Sequence, residues 1–136
     1  MSGERNLGRL LSEMKPVLCG DEFVYCSIDA ADLIQVDESP IMMFKEEEGT
    51  TLILRKSVAD RMSIEYNSIW SMITLSVHSD LEAVGFLAEV SKHLAMAGIS
   101  VNVVSAYYHD HLLVPAEKAQ SAMDILQKFS QEFNEP

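Results

Sequence analysis

Between Trp70 and Phe129 the hydrophobic period passes through five elements, and their order leaves few folds open. Trp70–Val77 alternates, with Ile73, Leu75 and Val77 on one face and Trp70, Met72, Thr74, Ser76 and His78 on the other, the two-residue period of a strand. Ser79–Ala97 follows with helical spacing. Ser79-Asp-Leu-Glu82 reads as a capping box, Val84, Leu87, Ala88, Leu94 and Ala95 form one apolar side, and Gly98 stands where a left-handed glycine closes a helix. Ile99–Ala106 and His111–Val114 read as two strands joined by a turn at Tyr107–Asp110. Pro115 ends the second, and a helix from Ala116 carries Ala119, Ala122, Met123, Leu126 and Phe129 on its apolar face. Antiparallel folding of strand, helix, strand, strand, helix gathers His78, Ser79, Asp80, Glu82, Tyr107, Tyr108, His109, Asp110 and His111 at one end of one sheet. That cluster is the candidate site, and its chemistry favours small-ligand binding over catalysis.

The first half carries a similar mixture. Leu7, Leu10, Leu11 and Met14 mark one helical face that Pro16 ends. Gly20-Asp21-Glu22 reads as a turn, Phe23–Ile28 as a strand, and Ala30–Val36 as a helical turn or two. Ile41–Lys45 and Thr51–Arg55 flank Glu46-Glu47-Glu48-Gly49, a hairpin signal, and Ser57 is placed to cap a short helix through Met62. Gln131–Pro136 is expected to fray. No strand is evident after the last helix or before the first.

Composition narrows the partners. Ten basic against 21 acidic residues give a net charge of −11, which repels a phosphate backbone and excludes nucleic acid and anionic membranes as natural partners. No secretion signal opens the chain and no apolar run reaches the ~20 residues of a membrane span, so a cytoplasmic protein is expected. Cys19 and Cys26 read as two packed thiols in a reducing compartment rather than a disulfide. The 136 residues suffice for a core without disulfide or metal.

Three stretches, His78–Gly85, Gly98–Ser105 and Tyr107–Val114, resemble the ACT-domain superfamily. They are most similar to small stand-alone tandem proteins related to the regulatory domains of aspartate kinases and to cytosolic arginine sensors. Phe44–Thr51 resembles the partner domain that precedes it. The resemblance implies an α+β fold of two ferredoxin-like units, residues 1–66 and 67–136, with antiparallel sheets and helices packed on one face. It also implies paired units with an amino acid held between them, and a homodimer. Carried onto this chain, the ligand contacts are Ser79, Asp80, Leu81, Glu82, Ala83 and Val84 of the strand-to-helix loop, and Ile99, Ser100, Val101 and Asn102 of the following strand in a neighbouring unit.

The chemistry of a free amino acid suits that loop. A helix starting near Leu81 offers unpaired N–H groups to the carboxylate, while Asp80, Glu82 or Asp110 can pair with the ammonium. Val84, Phe86 and Met72 can line a side-chain pocket. His109-Asp110-His111 invites a metal, but a polar hairpin turn accounts for it better, and no metal or other cofactor is expected. With no nucleophile elbow, phosphate loop or dinucleotide fingerprint, an enzyme is not expected. The alternatives are a homo-oligomeric interaction module, using the face of Trp70, Met72 and Thr74, and less favourably a metal-dependent or thiol enzyme using Cys26.

Overall fold

The computed structural model describes residues 3–134. They form two compact units. One takes the described residues up to Cys19 together with those from Ser71 onward; the other is Gly20–Trp70. The elements in chain order are α1 (Leu7–Glu13), β1 (Pro16–Ile28), α2 (Ala30–Leu33), β2 (Met42–Lys45), β3 (Thr50–Arg55), α3 (Lys56–Arg61), β4 (Trp70–Leu75), α4 (Phe86–Met96), β5 (Asn102–Ser105), β6 (Asp110–Pro115) and α5 (Ala119–Glu132), with a 3-10 turn at Ala116–Lys118. The order strand, helix, strand, strand, helix therefore occurs twice, from β1 and again from β4. Each time the third strand of the set lies between the other two: β3 between β2 and β1, and β6 between β4 and β5.

In the unit Gly20–Trp70, β1 and β2 both run antiparallel to β3, with Cys26 opposite Leu52, Val24 opposite Leu54 and Met43 opposite Leu52. Alternation puts Val24, Cys26, Leu52 and Leu54 on one face, where they bury Val58 and Ala59 of α3. Gly20-Asp21-Glu22, expected as a turn, lies within the 13-residue strand β1, so the chain runs on extended through local turn chemistry. Ser57 does not cap α3. Arg55 holds the N-cap position and makes no side-chain capping bond.

In the other unit the helices α1, α4 and α5 enclose a core with β4 and β6. Ile73 and Leu75 alternate inward from β4, Leu112 and Val114 from β6, and Leu10 and Leu11 from α1 with Met14 at its C-cap. All five positions expected on the apolar face of the last helix are buried. That helix runs through Glu132 rather than fraying from Gln131. Its Ser130 hydroxyl donates to the Leu11 carbonyl at 2.8 Å, and the Asn134 amide donates to Ser12 O at 3.0 Å. Residues 135 and 136 lie outside the described residues. The place beside β4, where no strand was evident after the last helix, is taken by the chain entering β1. The Ser76 N–H donates to Met14 O at 2.7 Å and its hydroxyl to Lys15 O at 2.8 Å.

α4 positions the site. Its apolar stripe is Phe86, Val90 and Leu94, at i, i+4 and i+8. It ends in a paired-bond glycine cap: Gly98, at φ +73°, donates to Ala95 O, and Ile99 donates to Leu94 O. Its start differs from the expectation. The helix begins at Phe86, not near Leu81, and Ser79–Gly85 is an ordered loop. The Ser79 hydroxyl donates to another partner, and Ser79 lies seven residues before the helix, too far to cap it. Asp80 folds onto the chain instead, accepting from the Glu82 N–H at 2.8 Å while its carbonyl accepts from Ala83. Gly85, at φ +92°, then admits the helix through a conformation that side chains resist.

Candidate functional site

The loop Ser79–Gly85 connects β4 to α4 and forms a wall of two adjoining cavities. The smaller, of about 130 Å³, is lined by Ser79, Asp80, Leu81 and Ala83 of the loop, Gly85, Phe86, Leu87 and Ala88 at the start of α4, and Ser105 and Asp110 from the facing ends of β5 and β6. The larger, of about 320 Å³, is lined by His78–Glu82, Tyr107, Gly3 and Arg5.

Three features give the smaller cavity its chemistry. The N-cap position of α4 is held by Gly85, which has no side chain to cap it, and Gly85–Ala88 line the cavity, which brings the first N–H groups of the helix and the positive end of its dipole to its rim. Asp110 is buried (5% exposed) and accepts from the Ser79 hydroxyl at 3.0 Å; Ser79 is itself buried. One hydroxyl uses only part of what a carboxylate can accept. Ser105 pairs with Asp110 across the β5–β6 ladder, which sets its hydroxyl on the same rim.

Asp80 and Glu82 are engaged differently. The Arg5 guanidinium lies 3.3 Å from Asp80 and 2.7 Å from Glu82. The Glu82 N–H, followed by Arg5, holds the Asp80 carboxyl below the usual carboxylate range. Of the three acidic residues expected to meet an ammonium, Asp110 is the one that keeps acceptor capacity inside a cavity.

The triplet His109-Asp110-His111 splits by strand alternation. Asp110 turns to Ser79, while His111 turns the other way, with Nδ1 2.9 Å from Thr74 Oγ1. Among the described residues no three His, Cys, Asp or Glu side chains converge as a metal site. Burial, with the nearby His109 charge, pushes His111 below its ordinary pKa. A histidine depressed on folding binds its proton more tightly when unfolded. Its contribution to stability is therefore full above the unfolded value, near 6.5, and is lost as pH falls below it. The melting temperature is expected to drop between pH 7 and 5, and His111→Gln to flatten that drop; a drop of unchanged size in the variant assigns it to other groups.

Of the expected contacts, Ser79, Asp80, Leu81, Ala83 and Asp110 line the smaller cavity, and Glu82 lines only the larger. Val84 is 84% exposed and lines neither. Ile99, Ser100, Val101 and Asn102 lie past the far end of α4, which at 11 residues spans about 16 Å, so they share no cavity with the loop of their own unit. Ile99 is buried in that unit's core. Phe86 lines the smaller cavity, while Met72 lines neither. Gly3, Arg5, Gly85, Leu87, Ala88 and Ser105 were not foreseen as lining residues. Only Gly85, a glycine just ahead of an apolar run, carried a local signal.

Two family models, both described as ACT domain, match the chain at residues 2–71 and 65–128. A Vibrio cholerae protein of unknown function, described as a possible transport protein, is 41% identical, with 91% of this chain and 95% of that one covered and a TM-score of 0.80. An Agrobacterium tumefaciens protein is 17% identical over 85% of this chain and 87% of its own, with a TM-score of 0.70. The ligand-free regulatory subunit of aspartate kinase from Thermus thermophilus, 12% identical, has a TM-score of 0.67 over 87% of this chain and 97% of its own. No curated protein matches. No helix among the described residues is long and apolar enough to cross a membrane. With two tandem matches and a relative at this identity over nearly its whole length, the chain belongs to the ACT-domain family.

Proposed function

We propose that this protein is a regulatory module that binds a small free amino acid in the cavity between the Ser79–Gly85 loop, the start of α4 and Asp110. The observation that carries the reading is one cavity lined by two complementary groups. The start of a helix suits a carboxylate, and in the same lining a buried carboxylate with spare acceptor capacity suits an ammonium. A cavity of about 130 Å³ is smaller than drug-sized sites and favours amino acids with short side chains. The structural likeness to an aspartate kinase regulatory subunit supports a regulatory rather than catalytic role. A second ACT unit, supplied by another copy of the chain, would close the cavity over the exposed Leu81 and Val84, so that ligand biases the dimer.

A thermal-shift screen of the twenty amino acids tests this. At 100 times its dissociation constant an amino acid adds about 2.7 kcal/mol, roughly 8 °C for a chain of this size. Small amino acids such as L-alanine are expected to lead the series. If none of the twenty raises the melting temperature at millimolar concentration, the reading fails. The exposure of Leu81, Val84, Tyr107 and Tyr108 favours a second reading, an oligomeric interaction module without a small ligand. Sedimentation separates the two, because that module dimerises equally with and without amino acid.

A further inference from the structure

The residues leading into α1 lie along the loop as a single rung of added strand. Glu4 pairs with Ser79 in a parallel bridge; its N–H donates to His78 O at 2.8 Å, and the Asp80 N–H donates to Glu4 O at 3.0 Å. Gly3 approaches so closely that a Cβ there would sit 2.6 Å from His78 O and 2.7 Å from Asp80 N. Backbone cannot retreat from such a clash as a flexible side chain does, so only glycine fits. The segment is tied at its other end as well. The Glu4 carboxylate accepts from the N–H groups of Arg5 and Asn6, and Asn6 caps α1 by accepting from the Arg9 N–H at 3.0 Å. Arg5 then reaches over the loop to Asp80 and Glu82.

We propose that Gly3–Arg5 is a built-in strap that sets the conformation of the ligand loop, and that Arg5 determines which charge the adjoining site accepts. The second part rests on the amino-acid reading; the first does not. Two carboxylates on the loop, left without a cation, would oppose an incoming carboxylate at the start of α4. Arg5 compensates them, leaving one cation-accepting wall at Asp110 and one anion-accepting wall at the helix. A loop held in advance also loses less freedom when ligand binds. The device couples the site to α1, more than seventy residues away in sequence.

Amide hydrogen exchange of the wild type, Gly3→Val and Arg5→Gln, without ligand, tests the strap. The amides of His78–Ala83 are expected to exchange at least tenfold faster in Gly3→Val and several-fold faster in Arg5→Gln, while those of α5 stay unchanged. Titration of the same proteins with L-alanine and L-alaninamide, which lacks the carboxylate, tests Arg5. Arg5→Gln is expected to bind L-alanine about tenfold more weakly and to lose the preference for it over the amide. Unchanged loop exchange in both variants overturns the strap, and an unchanged preference in Arg5→Gln overturns the role of Arg5. Faster loop exchange in variants of a protein whose wild type binds no amino acid leaves the strap standing and removes the amino-acid reading.

Discussion

Asp110→Asn is expected to weaken L-alanine binding about 100-fold and to erase the thermal shift while leaving the fold intact. The substitution keeps the size of the side chain and an oxygen that can accept from Ser79, so the buried 3.0 Å contact has a successor. What it removes is the negative charge facing the ammonium. Removing one partner of a buried charge pair costs on the order of 2–5 kcal/mol, and about 2.7 kcal/mol is 100-fold. The controls are Asp80→Asn and Glu82→Gln. Both carboxylates already meet Arg5, and Glu82 is largely exposed, so each change is expected to cost less than about fivefold. Calorimetric titration of the three variants decides the matter. If Asp110→Asn binds as tightly as the wild type, the ammonium is held elsewhere.

The sequence made Asp110 visible but not distinctive. It sits in a triplet where two histidines draw the eye, and only strand register reveals that it faces away from both. Legibility elsewhere followed the range of the forces involved. The apolar faces of β4, α1 and α5 came through because burial imposes its period on many residues at once, and Gly98 because one conformation demands one residue. The helix α4 starts about five residues later than its local pattern implies. Ser79 and Glu82 satisfy a capping pattern locally, yet the buried Asp110, 31 positions away, accepts from the Ser79 hydroxyl and holds that side chain in the site rather than on a helix end. Gly20-Asp21-Glu22 has turn chemistry locally, yet it lies inside the 13-residue strand β1. Gly3 and Arg5 were unreadable in principle. Arg5 meets a residue 77 positions away, and nothing near it in sequence distinguishes its charge from that of any exposed arginine.

Leu94→Ala is expected to cost about 3 kcal/mol of stability and to lower the urea midpoint by roughly 2 M at unchanged slope. Leu94 is fully buried in the core that includes Ile99, and its carbonyl accepts the Ile99 N–H that closes α4. Alanine preserves the helix backbone, so the loss is the buried side chain and the cavity it leaves. Met96→Ala, two residues on at a position 76% exposed, is expected to change stability by less than about 0.5 kcal/mol, which separates burial from helix propensity. The comparison bears on the site because an isolated helix of 11 residues is unstable in water. Nothing intrinsic to α4 keeps its first turn in the cavity that Asp110 lines; the burial of Phe86, Val90 and Leu94 does. Leu94→Ala is therefore expected to weaken L-alanine binding several-fold even though Leu94 lines neither cavity. Undiminished binding in that variant would mean that the loop and its strap, rather than the core, hold the helix start in place.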